Sequence, residues 1–134
     1  MYRRKRERLP MTDAQGPNPT LADGLKTLVG EQLSSVEFVA DYVQLWFNGP
    51  CLTAHTPPTV SSDGNNLAWG DLRYRDALCE QIGRSVERTL VDAEQVAIVF
   101  DNGASVSISL REEDYRSSEA LEFWIDRKDR TWVV

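Results

Sequence analysis

The sequence predicts an α+β domain: a mostly antiparallel, strongly twisted or rolled β-sheet of about six to eight strands with one main helix packed on it. Three observations lead there. Short segments that alternate apolar and polar residues recur along the chain, as in QVAIVF and ASVSISL. The links between them are short and carry Asn-Gly or Gly-Pro turn signals. Only DLRYRDALCEQIGRS, residues 71–85, keeps helical spacing over several turns.

The chain of 134 residues has the length of one domain, with 41% hydrophobic and 27% charged residues. That balance suits a globular protein and excludes a disordered one. Residues 1–10, MYRRKRERLP, hold five basic residues and one acidic, which leaves 10 basic against 20 acidic over the other 124. We read residues 1–19 as a basic, disordered tail and polar linker, an extension upstream of a start at Met11, and residues 20–134 as a single domain. An acidic body is the wrong sign for nucleic acid or an anionic membrane, and it suits a basic protein partner. No apolar run spans a bilayer and no signal core follows the basic head, so the expected address is the cytoplasm.

Element by element, Leu21, Leu25 and Leu28 recur at helical spacing, with Thr20 or Asp23 able to cap the start and Gly30 the end of a short helix. Strands are expected at 33–39, 42–47 and 51–56, followed by a Pro/Gly/Asn-rich loop over 57–70. Asp71 is placed to cap the main helix, with Leu72, Leu78, Cys79 and Ile82 near one face. Further strands are expected at 85–91, 95–100, 104–110, 119–125 and 131–134, the last two joined by a charged turn over 126–129.

Face parity tests each hairpin, because a one-residue slip throws the apolar set to the wrong side. A three-residue loop Asp101-Asn102-Gly103 pairs Ile98 with Val106 and Val96 with Ile108, with Gly103 in the left-handed region. For the upstream hairpin we favour a type II′-like turn centred on Gly49-Pro50, pairing Phe47 with Leu52 and Leu45 with Ala54. A turn centred on Asn48-Gly49 leaves the same inner face of Val43, Leu45, Phe47, Leu52 and Ala54. Strands follow both Asn-Gly pairs, so these glycines turn the chain and do not cradle a phosphate.

The outer faces differ. Ser105, Ser107 and Ser109 read as a solvated sheet face. The first hairpin instead carries Tyr42, Gln44, Trp46, Cys51, Thr53 and His55, and of these Tyr42, Gln44, Trp46, Thr53 and His55 form the candidate partner-binding face. The competing reading is that another element or a second subunit covers it.

Chemistry is thinly nominated. Cys51 and Cys79 lack Cys-x-x-Cys spacing and His55 is the lone histidine, so we expect reduced thiols, no metal site and no cofactor. A triad would have to use His55 with Tyr42 or Cys51, on a strand surface without an oxyanion loop, and we read His55 as a sheet-edge residue. Glu112, Glu113 and Asp114 read as a solvated acidic loop. Trp69, Trp124 and Trp132 read as core or edge cover, with Trp132 packing beside Trp124.

The segments LVGEQLSSVEF, DYVQLWFNGPCL, RDALCEQIGRSV, VAIVFDNGASVSISL and SEALEFW, within residues 28–124, resemble a family of small bacterial domains of unknown function, similar in kind to immunity and adaptor-like proteins. The resemblance brings no catalytic or cofactor residues. The expected function is a non-enzymatic protein-binding module, of immunity or inhibitor type, with an acidic surface for a basic protein. The alternatives are a small hydrolase-like enzyme using His55 and an obligate homodimer joined through the Tyr42/Trp46 face.

Overall fold

The computed structural model describes residues 20–126 and 130–134; the basic head and the residues 127–129 of the expected charged turn lie outside them. The described chain opens on helix α1 (Leu21–Lys26), started by a reciprocal cap. The Thr20 hydroxyl accepts the Asp23 N–H at 3.1 Å, and the Asp23 carboxylate accepts the Thr20 N–H at 3.0 Å. Both residues expected to compete for the cap therefore share it.

Ten strands follow among the described residues, in two antiparallel five-stranded sheets. The first contains β1 (Ser35–Val39), β2 (Tyr42–Trp46), β3 (Cys51–Ala54), β9 (Leu121–Asp126) and β10 (Arg130–Val133), in that spatial order. The second has the order β5 (Asn65–Leu67), β4 (Thr59–Ser62), β8 (Ser105–Ser109), β7 (Gln95–Phe100) and β6 (Val86–Val91). The domain is thus mainly β, and several of the expectations for it need correction.

The expected single sheet of six to eight strands is two sheets, with the chain crossing from one to the other between β3 and β4, and the described strands number ten because the supposed loop over 57–70 contains the hairpin β4–β5. Its turn is Asp63-Gly64, with φ of 52° and 80°, the left-handed pair that a two-residue hairpin demands. The flanking residues are nearly all polar, so alternation was silent there. Val60, fully buried and paired with Val106 of β8, plants the hairpin in the core, and Leu67 of β5 packs partly against it.

The expected main helix over 71–85 shrinks to α2 (Tyr74–Cys79), no longer than α1. Asp71 does not cap it. Its carboxylate accepts the Ala68 N–H at 2.7 Å and shapes the preceding turn instead. Gly83, at φ 94°, then ends the turns that follow α2. The buried face is also different: Tyr74, Ala77, Leu78 and Gln81 are inside, while Leu72 is 96% exposed and Cys79 and Ile82 lie outward. Tyr74 donates its hydroxyl to the Pro58 carbonyl at 2.5 Å, and burial pushes the phenol pKa well above its ordinary value.

The inner faces of both sheets and the two helices contribute to one core. Each helix bridges the sheets: α1 packs on β6 and β9, and α2 packs on β4 and β1. At one corner the sheets are tied directly, upstream of their edge strands β1 and β6. There Gly30 N–H donates to Val86 O at 2.9 Å and Leu33 N–H to Arg84 O at 3.0 Å. Gly24 has a packing reason: a Cβ there would stand 2.6 Å from the Trp132 ring.

The two hairpins divide the parity argument. Asp101-Asn102-Gly103 is the three-residue loop expected, with Gly103 at φ 89°, Val96 opposite Ile108 and Ile98 opposite Val106. The upstream turn is centred on Asn48-Gly49, with φ of 59° and 132°, and not on Gly49-Pro50. Leu45 therefore faces Leu52 and Val43 faces Ala54. Phe47 N–H still donates to the Pro50 carbonyl at 2.8 Å, so the proline forfeits only its own half of the closing pair. Asn48 tolerates the left-handed region, and its N–H is taken by the Ser34 hydroxyl at 3.0 Å. The inner set Val43, Leu45, Phe47, Leu52 and Ala54 is fully buried, as either register required.

No described helix is long and apolar enough to cross a membrane.

Candidate functional site

The register of the first sheet puts Tyr42, Gln44, Trp46, Thr53 and His55 on one face. Two cross-strand rows define it: Glu37, Gln44, Thr53, Glu122 and Val133 form one, and Ser35, Trp46, Cys51, Trp124 and Thr131 the other. His55 lies one step beyond β3, where its N–H donates to the Ala120 carbonyl at 2.8 Å.

The side chains on this face hold one another. Trp46 meets Trp124 edge to face at 5.5 Å and 82°, and its indole N–H donates to Glu37 at 3.0 Å. Gln44 donates to the Thr53 hydroxyl at 3.1 Å. The Tyr42 and His55 rings lie 5.5 Å apart, tilted by 56°. Thr53 and Cys51 are buried at 5% and 0% exposure, so they support the face and do not present it. Tyr42, Gln44, Trp46 and His55 are partly open.

Sequence reasoning missed Trp124, Glu122 and Glu119. Trp124 was expected as cover with Trp132 beside it, but the two point to opposite faces. Trp132 is buried and stacks on Phe123 at 5.8 Å, whereas Trp124 joins Trp46 outside. Glu122 and its neighbour Glu119 come from a segment far downstream, and nothing local in either stretch signals that β3 and β9 pair. The alternation of LEFWID could have assigned Glu122 and Trp124 to one face, though not to this sheet.

His55, Glu119 and Glu122 converge, with one ligand atom from each lying within 4.8 Å of the others. The His55 Nε2 is buried and has no hydrogen-bond partner; the Glu122 carboxylate stands 3.8 Å away, an electrostatic contact too long for a hydrogen bond. The imidazole nevertheless holds the Glu122 carboxyl below its ordinary pKa, against the opposing effect of partial burial. Among the described residues, these three form the cluster able to hold a metal ion.

The arrangement does not assemble a nucleophile. The Cys51 sulfur lies 3.7 Å from the Thr53 hydroxyl and is fully buried, and His55 Nε2 bonds to neither it nor Tyr42. The acidic run Glu112–Asp114 forms a 3₁₀ turn. Arg111 pairs with Glu113 and holds that carboxyl below its ordinary pKa, and Ser109 donates to Asp114 at 2.6 Å.

The serine face of the second sheet is less plain than expected. Ser107 and Ser109 line an open groove of about 560 Å³, with Thr59, Gln95, Trp69 and Arg116 around it. Trp69 leans edge-on against Tyr74 at 6.0 Å and packs partly on the core.

The fold and the face together define a two-sheet, mainly β domain with an aromatic and acidic outer surface on one sheet. Searches against protein-family models, curated proteins and solved structures return no match, so the resemblance to small bacterial domains rests on the sequence segments alone.

Proposed function

We propose that the chain is a non-enzymatic protein-binding domain that offers the outer face of its first sheet to a basic protein, in the manner of an immunity-type or inhibitor protein acting in the bacterial cytoplasm. The observation that carries this reading is the Trp46–Trp124 pair with Tyr42 on one face, bordered by Glu37, Glu119 and Glu122. Rigid aromatic side chains provide contact area at low entropy cost. An arginine or lysine laid over an exposed indole gains about 0.5–2 kcal/mol, more as water is excluded. The acidic body would steer such a partner into register.

The test is quantitative binding of a partner isolated by pull-down with the full chain. Trp46→Ala should weaken it at least tenfold while costing the fold no more than about 1–1.5 kcal/mol, near the worth of the Trp46–Trp124 pair, and wild-type affinity should fall as salt is raised. A partner held equally well by Trp46→Ala and Tyr42→Ala, or indifferent to ionic strength, would sink the reading. Light scattering checks the homodimer alternative: a concentration-dependent dimer dissolved by Trp46→Ala would make the face a self-interface. A turnover activity abolished by His55→Ala without loss of stability would favour the hydrolase alternative.

A further inference from the structure

The buried Nε2 of His55 is a polar atom with no hydrogen-bond partner, 3.8 Å from the Glu122 carboxylate, and His55, Glu119 and Glu122 bring one ligand atom each within 4.8 Å of one another. We propose that His55, Glu119 and Glu122 form a site for a divalent transition-metal ion of the zinc type, at the end of the first sheet's outer face. The site stands independently of the partner reading, since it needs no second protein.

The backbone that carries the three ligands is already in place. Ala120 O accepts both His55 N–H, at 2.8 Å, and Thr56 N–H, at 3.0 Å, and two residues along Thr53 pairs with Glu122 in the strand register. Directly opposite His55 stands Ala120, whose side chain brings no competing polar group to the cluster. Both glutamates are partly open and free to adjust, while the histidine is held against the Tyr42 ring.

Ligand atoms around a tetrahedral zinc ion, at bonds of about 2.0–2.1 Å, sit about 3.3 Å apart. The present separations, up to 4.8 Å, therefore need only rotations of the two glutamates to close on an ion. One imidazole nitrogen and two carboxylates make a mixed nitrogen and oxygen set that suits zinc, manganese or ferrous iron. Calcium and magnesium prefer all-oxygen shells and fit it poorly. A bound ion would ligate the unpartnered Nε2, neutralise both carboxylates and cross-link the end of β3 to the start of β9. The competing arrangement is a protonated His55 paired with Glu122, which needs no ion.

Untagged full-length protein, stripped of metal with a chelator, decides between the two when titrated with Co²⁺ as a spectroscopic probe and with Zn²⁺ by calorimetry. A Cys79→Ser background removes the exposed thiol as a rival ligand. The proposal expects one equivalent bound, with visible Co²⁺ absorption that Zn²⁺ displaces. Glu119→Gln and His55→Ala should each weaken binding at least tenfold, whereas Glu37→Gln, on the same face but outside the cluster, should not. Zn²⁺ should raise the melting temperature of the parent protein and not that of Glu119→Gln; this variant serves as the arm if His55→Ala does not fold. Absence of saturable binding below millimolar metal, or binding unchanged by Glu119→Gln, would overturn the site.

Discussion

The two sheets bury similar inner faces and expose very different outer ones. Inside, Val43, Leu45, Leu52 and Phe123 meet Val96, Ile98, Val106 and Ile108 in one core. Outside, the second sheet shows Ser61, Ser105, Ser107 and Ser109, and the first shows Trp46, Trp124, Tyr42, Glu37 and Glu122. The strand period of two dictates the inner choice wherever a face must be dry. It leaves the outer choice open, so the outer residues are where this protein departs from what folding alone demands. Aromatic side chains on a face that needed only hydroxyls are a reason to look for a partner there.

The sharpest way to break this contrast is inside one sheet, where Trp132 and Trp124 occupy neighbouring strands and opposite faces. Trp132→Ala removes a fully buried ring stacked on Phe123 and should cost about 3–5 kcal/mol in urea denaturation. Trp124→Ala should cost about 1–1.5 kcal/mol, near the worth of an aromatic pair, while weakening partner binding. Comparable losses from both would show that the outer face is core after all.

Next in size, Gly24→Ala drives a methyl group into the Trp132 ring. The better helix propensity of alanine, about 1 kcal/mol, works against an overpacking cost of about 1–3 kcal/mol. A net loss is expected, and the double variant with Trp132→Phe should recover part of it. A gain would mean that the ring yields cheaply.

The reciprocal cap gives a smaller effect with a pH signature. Thr20→Ala should cost about 1 kcal/mol. Asp23 accepts the Thr20 backbone N–H and is bonded by the Thr20 side chain, and these hold its carboxyl below the ordinary value. Its folded pKa is depressed, so its contribution is complete above the unfolded pKa, about 3.9, and is lost as pH falls through the folded value. In acid titrations followed by circular dichroism, Asp23→Asn should lose that portion of the pH dependence below about pH 4. Smallest of all, Ser107→Ala on the second sheet's outer face should change stability by no more than about 0.5 kcal/mol.

How much of this was legible varies with the range of the interaction. The inner faces of both hairpins followed from alternation, and the Asp101–Gly103 loop followed from parity because only one loop length matches two apolar sets. Parity was silent on the upstream turn, since both registers bury the same residues. The observed Asn48-Gly49 turn makes a contact that hairpin parity cannot see, the Asn48 N–H donating to the Ser34 hydroxyl outside the hairpin. The helix over 71–85 was overread because its spacing was genuine but its cap, Asp71, was engaged elsewhere. The β4–β5 hairpin was underread because a strand with one buried anchor, Val60, carries almost no hydrophobic pattern, although Asp63-Gly64 was a usable signal. Gln81 shows the same limit: it is buried, donates to the Ala77 carbonyl and accepts from Asn102, fastening α2 to the second hairpin's loop.

By itself, the sequence determined the mainly antiparallel character, the acidic body, the inner faces and the gathering of Tyr42, Gln44, Trp46, Thr53 and His55 on one side of a hairpin. These follow from period, charge and turn chemistry, which act over a few residues. Only the tertiary structure decided that the strands divide into two sheets, that Trp124 and Glu122 complete the face, and that Glu119 stands beside His55. Those depend on β3 pairing with β9, a choice made by the mutual burial of Leu52 with Phe123 and Ala54 with Leu121. Many apolar strands in this chain could satisfy such a pairing in isolation; the shared core admits one arrangement that keeps all of them dry together.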